Sequence, residues 1–138
     1  MVPLTRISHI AVIVRDLDTT LKWYSEVLGF EKRADVSLGL SERWLAIGLP
    51  GQPDFSIFLE CPKMETHGSD IYAVLSERIG KGSGLVLTTP DCREAHRKLV
   101  SRGVRFLSEP TKFPWGTTAM FEDLDGNALV LFEPGDAS

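Results

Sequence analysis

One histidine and two glutamates are the side chains of this sequence whose types and positions first suggest chemistry. His9 lies inside SHIAVIVRD (8–16), a short β-branched run that predicts a strand. Glu60 and Glu133 each follow directly on an apolar run, FSIFL and ALVLF. An imidazole can bind a metal ion or carry a proton, and a carboxylate can do either as well. Whether these groups act together depends on the elements that carry them.

The chain has the size and composition of one compact domain. It has 138 residues, of which 43% are hydrophobic, enough for one core and too few for two ordinary domains. The 15 basic and 19 acidic residues give a formal charge of -4 without long runs, so we expect no nucleic-acid partner. No run is apolar enough to span a membrane and no leader sequence is visible, so we expect a cytoplasmic protein without a membrane partner. Cys61 and Cys92 lack the spacing of a metal or redox site and are interpreted as ordinary thiols.

The sequence contains one pattern twice. Residues 8–30 and 83–106 each have a serine, a β-rich run, an aspartate, a helical segment, a glycine and an aromatic residue. The aspartates, Asp16 and Asp91, stand at the same distance from the serine. Apolar residues at helical spacing predict the two helices, and Asp16 or Asp18 can cap the first of them.

Three predicted strands follow each helix. They are residues 30–38, 42–49 and 54–60 in the first half, and 104–110, 117–123 and 127–133 in the second. The turn signals PGQP and DGN separate the last two strands of each half. The final glutamates also match approximately, because Glu60 lies 51 residues after His9 and Glu133 lies 49 after Gly84.

These elements predict an α+β fold of two tandem βαβββ modules within a single domain over residues 1–138. Module one covers residues 1–62, a connector covers 63–80, and module two covers 81–138. We expect a short helix from Ser69 to Ile79 in the connector. Trp23 and Tyr24 are expected to seat the first helix on its sheet.

Four features of the sequence resemble the vicinal oxygen chelate superfamily, also known as the glyoxalase/bleomycin resistance/dioxygenase superfamily. They are the paired modules, the Trp-Tyr helix ending in LGF, the PWG stretch (114–116) and the closing EDLDGNALVLFEP. The superfamily includes glyoxalase I, extradiol dioxygenases, fosfomycin-modifying enzymes and bleomycin-binding proteins. The resemblance covers nearly the whole chain and implies curved mixed sheets around a cleft, often completed by a second subunit. We therefore expect a homodimer with a small-molecule ligand, although the fold itself selects no reaction.

The resemblance also implies four sheet positions that face the cleft and can bind a divalent metal. Here they carry His9, Glu60, Gly84 and Glu133. The three side chains suit zinc, nickel, manganese, magnesium or iron, but Gly84 offers no ligand. Gly84 stands where extradiol dioxygenases and fosfomycin enzymes need a second histidine, which disfavours both. A glyoxalase I-like site keeps three of the four ligands, with Glu133 as the catalytic group that moves a proton.

Two hypotheses from different classes stay open. The missing ligand favours a small-molecule-binding protein similar to the bleomycin-binding relatives, in which His9 is hydrogen-bonded between Glu60 and Glu133 without a metal. The alternative is a metal-dependent lyase or isomerase on a small oxygenated substrate, with the same three residues as metal ligands. Metal analysis separates the two hypotheses.

Three aromatic residues are the predicted substrate-binding side chains, namely Trp44, Phe58 and Trp115. Phe58 shares its strand face with Glu60, because side chains two residues apart point the same way. For Trp44 the competing interpretation is burial in the core.

Two further histidines are assigned ordinary surface roles. His67 in the connector is interpreted as a surface-loop residue, with a fourth metal ligand as the alternative, and His96 on the second helix as a solvated residue. GKGSG (80–84) precedes a strand instead of opening a helix, so it is not a phosphate loop. No GxSxG, HExxH or paired CxxC motif occurs.

Overall fold

The computed structural model describes residues 2–37, 39 and 43–136, in two compact units that cover residues 1–76 and 77–138. Each unit contains one four-stranded mixed sheet built in the order strand, helix, strand, strand, strand. The α+β class and the paired βαβββ modules are therefore confirmed. No helix in the described ranges is long and apolar enough to cross a bilayer.

The first unit contains the elements that carry His9 and Glu60. They are β1 (His9–Ile13), α1 (Leu17–Glu26), β2 (Glu31–Ser37), β3 (Arg43–Gly48) and β4 (Ser56–Glu60), followed by α2 (Met64–Arg78). The sheet order is β1-β4-β3-β2, with β1 parallel to β4 and the other pairs antiparallel. The predicted strand ends at Leu38 and Glu42 lie outside the described residues.

Helix α1 covers one face of the first sheet. Asp16 caps it, because its carboxylate accepts the Thr19 N–H at 2.8 Å, which decides between the two predicted caps. Tyr24 is fully buried, with its ring against those of Trp23 and Phe30. The helix thus seats on the sheet as expected, and the opposite face of the sheet is left for other contacts.

The second unit repeats this arrangement with different strand lengths. It contains β5 (Leu85–Thr88), α3 (Cys92–Ser101), β6 (Thr111–Phe113), β7 (Gly116–Glu122) and β8 (Ala128–Pro134). The sheet order is β5-β8-β7-β6, the same as in the first unit. Asp91 caps α3 by accepting the Glu94 N–H at 3.0 Å.

The predicted strand over residues 104–110 is wrong, because the strand lies later, at β6. In the predicted segment only Phe106 forms a β-bridge, to Phe121. The N–H groups of Leu107 and Ser108 both donate to the Met120 carbonyl, which bulges the chain. Pro110 then offers no N–H to a ladder. Strand β6 follows this proline and joins β7 through a turn at Pro114 and Trp115.

The connector helix begins earlier than predicted. Helix α2 contains a break at Gly68, where φ is 77° and ψ is 166°, a conformation that side-chain-bearing residues disfavour. The part after the break agrees with the predicted helix, Ser69 to Ile79, to within one residue. The turn before the break, Met64 to His67, is the part that the sequence did not indicate.

The DLDGN sequence builds a buried polar turn between β7 and β8. Asp123 and Asn127 are buried, and the carboxylate of Asp123 accepts the N–H groups of Asp125 and Asn127, each at 2.9 Å. The side-chain amide of Asn127 donates to Asp123 at 3.2 Å and accepts the N–H of Gly82 at 3.3 Å. This motif therefore stabilises the fold by tying the GKGSG segment to the turn.

We expect Asn127→Ala to lower the free energy of unfolding by about 1–3 kcal/mol, because it leaves buried donors and acceptors without partners. Urea denaturation followed by circular dichroism measures the change. Gln52→Ala, which removes an exposed amide in the β3–β4 turn, is the control and should stay within about 0.5 kcal/mol of the parent. An equal loss in both variants would contradict the assigned role of Asn127.

Candidate functional site

A cleft of about 300 Å³ lies in the first unit and is lined by aromatic and polar side chains. Its aromatic lining is His9, Trp44 and Phe58, and its charged or titratable lining is Arg43, Glu60, Cys61, Lys63 and His67. In β4, Ile57 and Leu59 are buried, whereas Ser56, Phe58 and Glu60 are partly exposed. The pleat of the strand therefore directs Phe58 and Glu60 into the cleft, as predicted from their spacing.

Three rings form an aromatic wall in this cleft. The ring of His9 stacks on Phe58 with centroids 3.8 Å apart and planes 24° apart. Trp44 lies edge-on to both, with centroids 4.4 Å from Phe58 and 6.1 Å from His9. Trp44 is 46% exposed, so the interpretation of this residue as core packing is wrong. The indole is available to a ligand.

His9 acts as part of this wall. Its Nδ1 lies 2.8 Å from the Ser8 hydroxyl, and its face is covered by Phe58. His9, a polar residue in an apolar strand, thus has both a stacking partner and a hydrogen bond. The ring is held by aromatic contact, and no carboxylate among the described residues is hydrogen-bonded to it.

Glu60 and His67 form a hydrogen-bonded pair at the cleft. His67 Nε2 lies 2.9 Å from Glu60 Oε1, and the imidazole is largely buried. His67 Nδ1 lies 3.1 Å from the N–H of Lys63. Nδ1 also lies 3.1 Å from the carbonyl oxygen of Lys63, so Lys63 does not decide the state of Nδ1. Because a carboxylate oxygen only accepts, Nε2 carries a proton and donates to Glu60. The interpretation of His67 as an ordinary surface-loop residue is therefore wrong.

Sequence reasoning missed Lys63 and Thr66 as cleft residues, and it placed His67 in the cleft only in the alternative of a fourth metal ligand. They come from the turn that precedes Gly68 in α2. The available signal was a short, mostly polar stretch closed by Gly68, eight residues after the strand-ending Glu60. That signal is too common to predict which way the turn folds.

Arg43 borders the cleft but its charge is already balanced. Its guanidinium donates to both oxygens of Asp35, at 2.8 and 2.9 Å, and pairs with Asp18 at 2.8 Å. The hydrogen bonds from Arg43 lower the pKa of Asp35 from 3.8 to about 2. This network links α1, β2 and β3 beside Trp44.

The predicted match between Glu60 and Glu133 is wrong. Ile13, four residues after His9, pairs with Glu60 on β4. Thr88, four residues after Gly84, pairs with Phe132 on β8. Glu133 is thus one residue further along its strand. A shift of one residue turns a side chain to the other face of the sheet.

Glu133 lies on the face of its sheet that α3 covers. Its Oε1 accepts the N–H of Cys92 at 2.8 Å, at the first residue of α3. A carboxylate is stabilised there by the unpaired N–H groups and the positive end of the helix dipole. Burial raises the pKa of the Cys92 thiol, and the charge of Glu133 raises it further.

The other predicted site residues are placed as follows. Gly84 adopts a positive φ of 70° before β5 and offers no side chain. Trp115 lies in the second unit, 58% exposed, and its ring stacks on Phe113 with centroids 4.7 Å apart. His96 is half-buried, with its ring edge-on to Phe106, instead of fully solvated.

The donors present fit a divalent metal poorly. Among the described residues no three His, Cys, Asp or Glu side chains form a group that could hold a metal ion. The carboxylate of Glu60 is engaged by His67, and that of Glu133 by a helix N-terminus. The roles of His9, Glu60 and Glu133 as metal ligands, and of Glu133 as a proton-transfer group, stay predictions.

Comparison with known proteins assigns the chain to a family that agrees with the observed fold. The sequence model of the Glyoxalase/Bleomycin resistance protein/Dioxygenase superfamily matches residues 6–131. The chain belongs to this superfamily. It is 29% identical to the uncharacterized protein YetH of Bacillus subtilis (strain 168) over 128 residues, which covers 93% of this chain and 98% of YetH.

Two solved structures of the superfamily fold are also similar to the chain. UcmS2 is 33% identical with a TM-score of 0.82, covering 94% of this chain and 98% of UcmS2. TnmS3, an antibiotic-binding protein from Streptomyces sp. CB03234, is 30% identical with a TM-score of 0.77, covering 98% and 100% of the two chains. One of these structural neighbours is thus described as binding an antibiotic.

We expect Asp35→Asn to lower the melting temperature at pH 7 and to flatten its fall in acid. The folded pKa of Asp35 is about 2 and its ordinary value is 3.8. The pair with Arg43 therefore stabilises the protein fully above about pH 4, and this contribution is lost as the pH falls through about 2. Differential scanning fluorimetry between pH 2 and 7 measures both effects.

The exposed Asp54, in the β3–β4 turn, gives the control variant Asp54→Asn. That variant should follow the parent at every pH. A parent-like acid profile for Asp35→Asn would contradict the stabilising role assigned to the pair of Asp35 and Arg43.

Proposed function

We propose that this protein binds a small planar aromatic compound in the cleft of its first unit and does not transform it chemically. The observation that carries the proposal is the wall of three rings, with Trp44 46% exposed beside Phe58 and His9. An indole in this position offers an aromatic surface for offset or edge-on contact with a ligand ring.

The size and lining of the cleft support this function. A volume of about 300 Å³ is at the lower end of the range for small-molecule sites. Such sites combine apolar walls with a few polar groups that fix the ligand's orientation. Here Ala11, Leu17 and Leu45 add apolar lining, and Glu60 and His67 supply the polar groups.

Similarity to TnmS3 supports binding without turnover as the role of this cleft. That protein is described as antibiotic-binding, and it shares the fold over nearly the full length of both chains. A compact aromatic ligand would satisfy the wall of rings in this chain.

Three further expectations from the sequence analysis stay predictions within this proposal. They are a homodimer, a cytoplasmic location and the contribution of Trp115 to ligand binding. Sedimentation velocity tests the first, and the affinity of Trp115→Ala tests the third.

We expect Trp44→Ala and Phe58→Ala each to weaken the binding of 2-naphthol at least about tenfold, because truncating a central aromatic contact removes most of the stacking surface. Isothermal titration calorimetry at pH 7 measures the affinity. Tyr72→Ala, which removes an exposed aromatic ring of α2 outside the cleft lining, is the control and should bind like the parent. Equal affinities for all four proteins would place the ligand elsewhere.

We expect protein purified without an affinity tag to bind 2-naphthol with unchanged affinity after exhaustive treatment with a chelator. We also expect Glu133→Gln to keep this affinity and to lose about 0.3–1 kcal/mol of stability, because a charge is removed from the N-terminus of α3. Elemental analysis, calorimetry and urea denaturation give the three readouts.

The competing hypothesis, a metal-dependent lyase or isomerase with Glu133 as its base, makes the opposite predictions. It requires a stoichiometric divalent ion and an activity that both the chelator and Glu133→Gln abolish. Finding that ion together with that activity would overturn the binding proposal.

A further inference from the structure

Building on the proposed binding function, we propose that Glu60 makes the cleft selective for planar aromatic compounds that carry a hydrogen-bond donor, and that His67 positions Glu60 for this contact. The compound class is defined by a flat ring system with an O–H or N–H group on its edge. The proposal rests on the geometry of one carboxylate and its neighbours.

Glu60 has unused capacity to accept hydrogen bonds in the cleft. A carboxylate has two oxygens and about four acceptor sites. In the described part of the chain its side chain has one partner, His67 at Oε1, and 38% of that side chain is exposed. Because Glu60 also lines the cleft, Oε2 is open to a donor on a bound molecule.

The position of Glu60 relates it to the aromatic wall. It lies two residues after Phe58 on the same face of β4, about 7 Å along the strand. A ring that packs against Phe58 and Trp44 therefore has one edge toward the carboxylate. A donor at that edge meets Glu60, whereas an ether or hydrocarbon at the same place would bury the carboxylate against an apolar group.

His67 restricts the orientation of Glu60 from the other side. The imidazole is held at Nδ1 by the backbone of Lys63, whose N–H and carbonyl oxygen each lie 3.1 Å away, and its side chain is only 16% exposed. The turn that carries it ends at Gly68, whose positive φ of 77° fixes where that turn stops. The ring can therefore present its Nε2 proton to Glu60 Oε1 in one direction.

The nearby cations leave Glu60 available. The guanidinium of Arg43 is bound to the carboxylates of Asp35 and Asp18, at three nitrogen–oxygen distances of 2.8 to 2.9 Å. The ion pairs of the described residues do not join Lys63 to Glu60. Glu60 is thus the charged group of the cleft that can accept a hydrogen bond from a ligand.

Three naphthalene probes separate hydrogen bonding from charge. They are 2-naphthol, which is neutral and has a donor, 2-methoxynaphthalene, which has none, and trimethyl(2-naphthyl)ammonium, which has a positive charge and no donor. Calorimetric titration of the full chain at pH 7 gives each affinity. We expect the parent protein to prefer 2-naphthol over the methyl ether by roughly tenfold, as for a hydrogen bond to a charged group.

Substitutions of Glu60 and His67 test whether these two residues cause the preference for 2-naphthol over its methyl ether. We expect Glu60→Gln to reduce it about threefold or more while the affinity for the methyl ether stays within twofold. His67→Ala should reduce it similarly, and His67→Gln, whose amide can still donate to Glu60, should restore it at least in part. Glu65→Gln removes a charge from the same turn outside the cleft lining and should leave the preference unchanged.

Each other result overturns the proposal in a distinguishable way. If the probes bind but the preference is absent, or survives Glu60→Gln, then Glu60 does not select the ligand and the proposed binding function still stands. If the ammonium probe binds best and Glu60→Gln abolishes that advantage, then the cleft recognises charge instead of a donor. If no probe binds the parent protein, both the selectivity and the proposed function fail.

Discussion

The alternation of side chains along each strand is the constraint on which the rest of this structure depends. Successive side chains of a strand point to opposite faces of its sheet, and one helix packs against each four-stranded sheet. In β4 this rule buries Ile57 and Leu59 and turns Phe58 and Glu60 toward the cleft. The aromatic wall and its neighbouring carboxylate follow from this one pleat.

The same alternation gives the two strand-ending glutamates different tasks. Glu60 faces the cleft and pairs with His67, whereas Glu133 faces α3 and accepts the Cys92 N–H. Both carboxylates are stabilised by donors, and Glu60 is the one that lines the cleft. The proposed binding function rests on this difference, because stacked rings and one held carboxylate line the cleft of the first unit.

The repeat and the helix caps could be predicted because they are local. Asp16 and Asp91 cap their helices through contacts three residues away, and the DGN turn is closed by Asp123 and Asn127, four residues apart. The bounds of the strands were harder to predict. The segment before Pro110 has the composition of a strand, but two of its N–H groups share one carbonyl across the sheet, and no local pattern shows that.

The sequence by itself determined the βαβββ repeat, the helix starts and the shared face of Phe58 and Glu60, because periodicity and capping act over a few residues. Only the tertiary structure decided the partner of each site residue. The stacking of His9 on Phe58 and the exposure of Trp44 depend on how β1, β4 and β3 align. The approach of His67 to Glu60 depends on the path of the turn before Gly68, and the side that Glu133 faces depends on a register one residue away from the predicted one.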